Sequence, residues 1–174
     1  MTAGRSEVVV ESVRVHMLSS QHVVILKELG RDRYLPIWIG PWEANAIAMR
    51  LQGVEPERPL THDLMASLMQ DLGARVREVD IVGLEAETFF ARIVLEAGGR
   101  VHEVDARPSD ALALAVRTGA PVYAADDVLD RAGVRPEPDE SEEPDAADER
   151  LSVFRDFVNS LEADDPGEGG QSRR

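Results

Sequence analysis

The sequence predicts an α/β chain of the α+β type. It is one domain built on a mixed, largely antiparallel sheet with three main helices packed on it, followed by a disordered acidic tail. Three observations predict this. Apolar residues alternate with polar ones in segments separated by short polar turns, the pattern of antiparallel strands. Other stretches place apolar residues at helical spacing, each opened by Pro or Thr and closed by Gly. Between residues 133 and 147 apolar residues almost vanish among prolines and acids, a composition that cannot bury enough surface to fold.

The elements follow in order. Val8–Leu18 alternates Val13, Val15 and Met17 against Arg14 and His16, and reads as a strand. Val23–Lys27 and Tyr34–Ile39 are the next two, with Leu35, Ile37 and Ile39 on one face. Pro36 has no N–H to donate, so the third strand belongs at a sheet edge or a bulge. Pro41 opens a helix, a position where its missing N–H costs nothing; Ala44, Ile47, Ala48 and Leu51 give its stripe. Thr61 is the expected N-cap of a second helix whose buried stripe is Leu64, Met65, Leu68, Met69 and Leu72. Arg75–Val82 and Thr88–Leu95 are strands, and Gly98-Gly99 is a hairpin turn into Arg100–Ala106. The third helix, Ser109–Arg117, is apolar on nearly every side and is therefore buried. A short strand, Pro121–Ala124, and a short helix, Asp126–Arg131 with Asp126 as its cap, complete the domain.

Residues 1–132 thus form the domain. An acidic linker is expected at 133–147, an amphipathic helix at 148–162 carried by Leu151, Phe154, Val158 and Leu161, and a disordered end at 163–174. One such helix is not stable alone at this length, so it docks or frays. The net charge of −14 is uneven: residues 133–174 hold 13 acids and 5 bases. So acidic a chain has no general attraction for nucleic acid or anionic membranes. Any polyanion it handles must meet a local group of arginines. The absence of cysteine excludes disulfides, thiolate metal sites and a thiol nucleophile. Without a signal-like apolar run or a membrane-length segment, the expected location is cytoplasmic, with no membrane partner.

Polar residues gather at three helix starts: Trp42, Glu43 and Asn45; Thr61, His62 and Asp63; and Asp105, Arg107, Ser109 and Asp110. Helix N-termini suit anionic ligands, but the same residue types also belong there as caps and dipole partners. The third cluster is the densest. His62 and Asp63, being adjacent on a helix, point about 100° apart and serve different partners. His16, His22 and His102 show no metal-ligand spacing and read as strand or turn histidines. Trp38 and Trp42 flank the Gly40-Pro41 junction; core or subunit packing is one use for them, stacking on nucleobases another. Walker, Rossmann and serine-elbow motifs are absent.

Three segments, Arg33–Ala48, Arg58–Leu64 and Val104–Ala115, resemble the bifunctional nuclease domain family, in register from about Val8 to Ala132. The segment Glu149–Phe157 is similar to the C-terminal helix of bacterial members, whereas the UVR-type motif of some relatives is missing. The resemblance implies a mixed α/β fold, self-association as a homodimer or higher homo-oligomer, and cleavage of DNA and RNA. It carries no assigned catalytic set. On the residues themselves, the expected catalytic groups are His62, Asp63, Asp105 and Asp110. Arg107, Ser109, Asn45 and Trp42 are expected to bind substrate, Arg107 as a two-pronged phosphate donor. Asp105, Asp110 and Glu43 would hold Mg²⁺ or Mn²⁺ to activate water, and His62 would move the proton. The other class is a non-catalytic oligomeric module binding a protein or small anion at these helix starts. The nuclease expectation requires Glu43, His62, Asp105 and Arg107 to face one cleft. The acidic tail is expected to compete with polyanions for the nearby arginines.

Overall fold

The computed structural model describes residues 4–16 and 20–135. The elements are β1 (Arg5–His16), β2 (Gln21–Glu28), β3 (Tyr34–Ile39), α1 (Pro41–Leu51), α2 (Thr61–Asp71), β4 (Ala74–Glu85), β5 (Thr88–Ala97), β6 (Arg100–Ala106), α3 (Pro108–Thr118), β7 (Val122–Ala125) and α4 (Asp126–Ala132). The expected linker beyond Arg135, the 148–162 helix and the terminal tail lie outside the described residues, as do Met17 and Leu18.

The seven strands form one sheet in the order β3-β2-β1-β7-β4-β5-β6. Two antiparallel meanders, β1–β2–β3 and β4–β5–β6, are joined by β7, which runs antiparallel to β1 and parallel to β4. The largely antiparallel α+β architecture is therefore as expected. Pro36 sits on an edge strand, where a missing donor is tolerated. Gly98 and Gly99 both hold positive φ, 56° and 74°, as a tight hairpin between right-twisted strands requires. Val134 exchanges backbone hydrogen bonds with Tyr34 at 2.7 and 2.8 Å, so chain expected to begin the linker is tied to β3.

One face of the sheet carries the core. Leu26, Leu35, Ile37 and Ile81 from strands meet Ile47 of α1, Leu112 and Leu114 of α3 and Leu129 of α4, all essentially without exposure. Ala111–Ala115 of α3 is buried throughout, in keeping with its unbroken apolar sequence. Truncating Leu112 or Ile81 to Ala would cost about 2–5 kcal/mol.

Three expectations need correction. Leu64, Met65, Leu68 and Leu72 of α2 are exposed; the helix packs through His62, Ala66 and Met69. Periodicity marks an apolar face, but α3 covers a different one. Thr61 is the first helical residue and Leu60 the N-cap, its N–H donating to Asp63 Oδ2 at 2.8 Å. Asp126 is likewise inside α4, after the cap Ala125, and accepts from Ser6 Oγ at 3.0 Å. Among the described residues no helix is long and apolar enough to cross a membrane.

The same order, three strands and then an eleven-residue helix opened by proline, occurs twice: β1–β2–β3–α1 and β4–β5–β6–α3. From the pairing, β3 and β6 run in opposite directions at opposite edges. In a flat sheet their ends would occupy diagonally opposite corners. Twist and coiling bring those corners together, so α1 and α3 start side by side.

Candidate active site

Glu43 lies in the first turn of α1, His62 in that of α2, and Arg107 and Asp110 cap and open α3. They form a continuous line. Arg107 donates through Nη2 to Glu43 Oε1 at 2.8 Å and through Nε to Asp110 Oδ2 at 2.7 Å. The other Asp110 oxygen, Oδ1, lies 3.1 Å from His62 Nε2. Three helix starts, from residues far apart in sequence, thus meet. Local chemistry explains each placement: carboxylates in a first helical turn complement the dipole, and Pro41 and Pro108 fix where α1 and α3 begin.

Charge follows the geometry. Burial works to raise the Asp110 carboxyl, but hydrogen bonds from Arg107 and His62 outweigh it and hold the group below the ordinary Asp value. The hydrogen bonds to Asp110 and Glu43 raise Arg107 further. With Asp110 ionised, its oxygen accepts a hydrogen bond from His62 Nε2–H. His62 is itself buried.

Arg107, Pro108 and Ser109 also form one wall of an open cleft of about 560 Å³. Ser20 and, from the start of β2, His22 contribute on one side, the end of β3 contributes Trp38, and Glu87 of the β4–β5 turn and Thr88 at the start of β5 complete it. That turn holds Ala86 and Glu87 at φ 43° and 68°, a conformation L-residues adopt at a cost. The Arg107 side chain is 66% exposed. It is the member of the ion-pair line that reaches the cleft, so the expectation that Glu43, His62, Asp105 and Arg107 all face one cleft is met by Arg107 alone.

The remaining expected site residues are placed as follows. Ser109 is buried in the cleft wall. Asp63 turns away from His62, as its position on the helix requires, and pairs with Arg117 Nε at 2.6 Å, joining α2 to α3. Burial raises the Asp63 carboxyl, but the Leu60 N–H and Arg117 outweigh it and keep the group low. Asn45 is exposed and bonds within its own helix to Met49 Sδ at 3.4 Å. Trp42 is exposed beside Glu43. Asp105 does not join the line. It pairs across strands with Arg92, on the face opposite the Ala91–Ala106 pair that faces the core, because successive strand residues alternate faces.

That placement bears on the expected Mg²⁺ or Mn²⁺. Both oxygens of Asp110 are engaged, Glu43 is held by Arg107, and Asp105 lies across the sheet. Among the described residues no three His, Asp or Glu side chains converge as a ligand set. A guanidinium occupies the position between carboxylates where a cation would sit, so the residues do not fit the metal role.

Two cleft residues lay outside the expected site set: His22, read as a strand or turn histidine, and Trp38, read as a ring for packing or for base stacking. Trp38 was readable, since Leu35, Ile37 and Ile39 face the core and strand alternation must turn Trp38 outward. Missed too was the buried ion-pair line in which Arg33 joins Glu28 at 2.6 Å and Asp130 at 2.5 Å. A second network, Arg5–Asp80–Arg92, lies on the open sheet face.

The class is now defined: an α+β domain of two βββα units whose helix starts share an arginine–carboxylate line beside an open cleft. The chain belongs to the bifunctional nuclease domain family, whose model matches residues 24–137. An uncharacterized protein of Mycobacterium tuberculosis (strain CDC 1551 / Oshkosh) is 45% identical over 162 residues, covering 91% of this chain and 96% of that protein. More distant plant relatives carry the name. Bifunctional nuclease 1 of Oryza sativa subsp. indica is 26% identical, over 74% of this chain and 41% of its own length. Bifunctional nuclease 1 of Arabidopsis thaliana is 28% identical, over 58% and 32% respectively.

Proposed function

We propose that this protein is a nuclease that hydrolyses phosphodiester bonds of DNA or RNA at the cleft beside α3. The observation that carries the reading is the convergence of the α1, α2 and α3 starts on one line, Glu43–Arg107–Asp110–His62, whose exposed guanidinium opens into that cleft. The family membership and the names of the plant relatives support it.

The roles follow from position. Arg107 gives one N–H to each carboxylate and, being exposed, keeps further donors for a phosphate. Glu43 and Asp110 hold the guanidinium in one orientation, which reduces the freedom lost on binding. His62, buried behind Asp110, is a positioning residue. His22, on the cleft wall, takes the proton from the water whose oxygen bonds to phosphorus and returns it to the oxygen whose bond to phosphorus breaks. Arg107 offsets the charge that develops on the phosphoryl oxygens.

A second reading is favoured by one observation. The exposed Leu64, Met65, Leu68 and Leu72 of α2 form the kind of apolar stripe that marks a contact with another protein, as in a non-catalytic binding module.

The test is incubation of purified protein with single-stranded RNA and DNA, in Mg²⁺, in Mn²⁺ and in EDTA. Cleavage that survives EDTA and disappears in Arg107→Ala is expected. Cleavage abolished by EDTA and restored by a divalent ion would return a metal to the site. Cleavage that survives Arg107→Ala would put the chemistry elsewhere. A folded wild-type protein that cleaves nothing would leave the binding module.

A further inference from the structure

We infer that Trp38 is a stacking platform for an unpaired nucleobase, so that the cleft takes single-stranded rather than duplex nucleic acid. The inference rests on the nuclease reading and adds the class of strand. Both tryptophans of the chain lie in the open: Trp38 is 57% exposed and Trp42 83% exposed. Large aromatic rings are normally the first side chains a domain buries. Core packing, one of the uses the sequence allows for them, is thereby removed. Trp38 lines the same cleft as Arg107, Ser109 and His22.

An aromatic ring and an exposed guanidinium lining one concavity match the two ends of a nucleotide. Stacking recognises the π-face that every base offers, while the arginine recognises the backbone. A paired base inside a duplex keeps its π-face covered by its neighbours, so a ring platform rewards a strand whose bases are already open. The overall charge of −14 reinforces the point. A chain that cannot attract a polyanion by its general field must hold it by specific contacts. Trp38 stands at the edge strand β3, where strand alternation fixes its outward direction without help from neighbours. Four residues on, past the Gly40-Pro41 junction, Trp42 offers a second ring on the first turn of α1.

Because the chain has two tryptophans, Trp42→Phe leaves Trp38 as the sole indole reporter. The experiment titrates that variant with three phosphorothioate oligonucleotides of equal length: a single strand, its duplex, and a strand with abasic sites in place of bases. Cleavage of an ordinary single strand is measured in parallel. The expected result is quenching of Trp38 by the single strand, with little change from the duplex or the abasic strand. Trp38→Ala should weaken single-strand binding roughly tenfold or more, and Trp38→Phe should restore part of it. Equal binding of abasic and base-bearing strands with a silent Trp38 overturns the inference. So does a Trp38 signal that follows protein concentration together with molecular mass by light scattering, which would make the ring a contact between copies. A silent Trp38 with Arg107-dependent cleavage removes the platform and leaves the nuclease reading. Base-dependent quenching without turnover does the reverse.

Discussion

Two arginines in this domain do the same thing in opposite surroundings. Arg33 bridges Glu28 and Asp130, tying the β2–β3 turn to α4; Arg107 bridges Glu43 and Asp110, tying α1 to α3. The Arg33 side chain is 5% exposed and Glu28 is buried, whereas Arg107 opens into a cleft. In the buried line Arg33 spends its Nε–H on Glu28 and an Nη1–H on Asp130, and removing Glu28 or Arg33 strands a charge where water hardly reaches it. In the open line water screens the loss, and the guanidinium retains donors for a ligand. Identical residue types are therefore closed into the fold in one place and left open to solvent in the other.

The largest effect should come from the closed line. Arg33→Ala or Glu28→Ala is expected to lower unfolding free energy by about 3–5 kcal/mol, read from chemical denaturation, while cleavage per folded molecule stays near wild type. A loss under about 1 kcal/mol would break the contrast. Next comes Arg107→Ala, expected to lower single-strand cleavage by about a hundredfold or more at a stability cost below about 1 kcal/mol. If it unfolds the protein instead, the open line is structural as well.

A pH series sharpens the same comparison. The hydrogen bond from Arg33 holds the Glu28 carboxyl below its ordinary value against the opposing effect of burial. The folded state then binds fewer protons than the unfolded chain, so this contribution is full above the ordinary carboxylate range of about 4 and is lost as pH falls through the lowered folded value. Unfolding midpoints between pH 7 and 3 should drop more steeply at the acid end for wild type than for Glu28→Gln. Parallel curves would show that Glu28 does not carry the acid sensitivity. The smallest effect concerns the acidic C-terminal stretch. Removing residues 136–174 should raise single-strand affinity a few-fold at low salt and scarcely at all at high salt; equal affinities in both would discard that competition.

Much of the fold was legible in local pattern. Strand alternation, the prolines at helix starts, the Gly98-Gly99 turn and the unbroken apolar run of α3 each act over a few residues, within reach of rotamer and backbone preference. The residue types of the site were legible too, since carboxylates and arginine stood at helix starts. Their company was not. Period identified an apolar face on α2 but could not say that Met69 alone of that face would be covered, together with His62 and Ala66, while Leu64, Met65, Leu68 and Leu72 stayed exposed. Spacing put Asp105 two residues from Arg107, yet Asp105 stays in the strand on the face away from the core, whereas Arg107 has left the strand as the cap of α3 and turns to Glu43 and Asp110. The meeting of Glu43 with Arg107 depends on β3 and β6, antiparallel at opposite edges, being swung together by the accumulated twist of seven strands. Each strand adds a small rotation that no short window of residues contains, so the elements were written locally and the site arose from their sum.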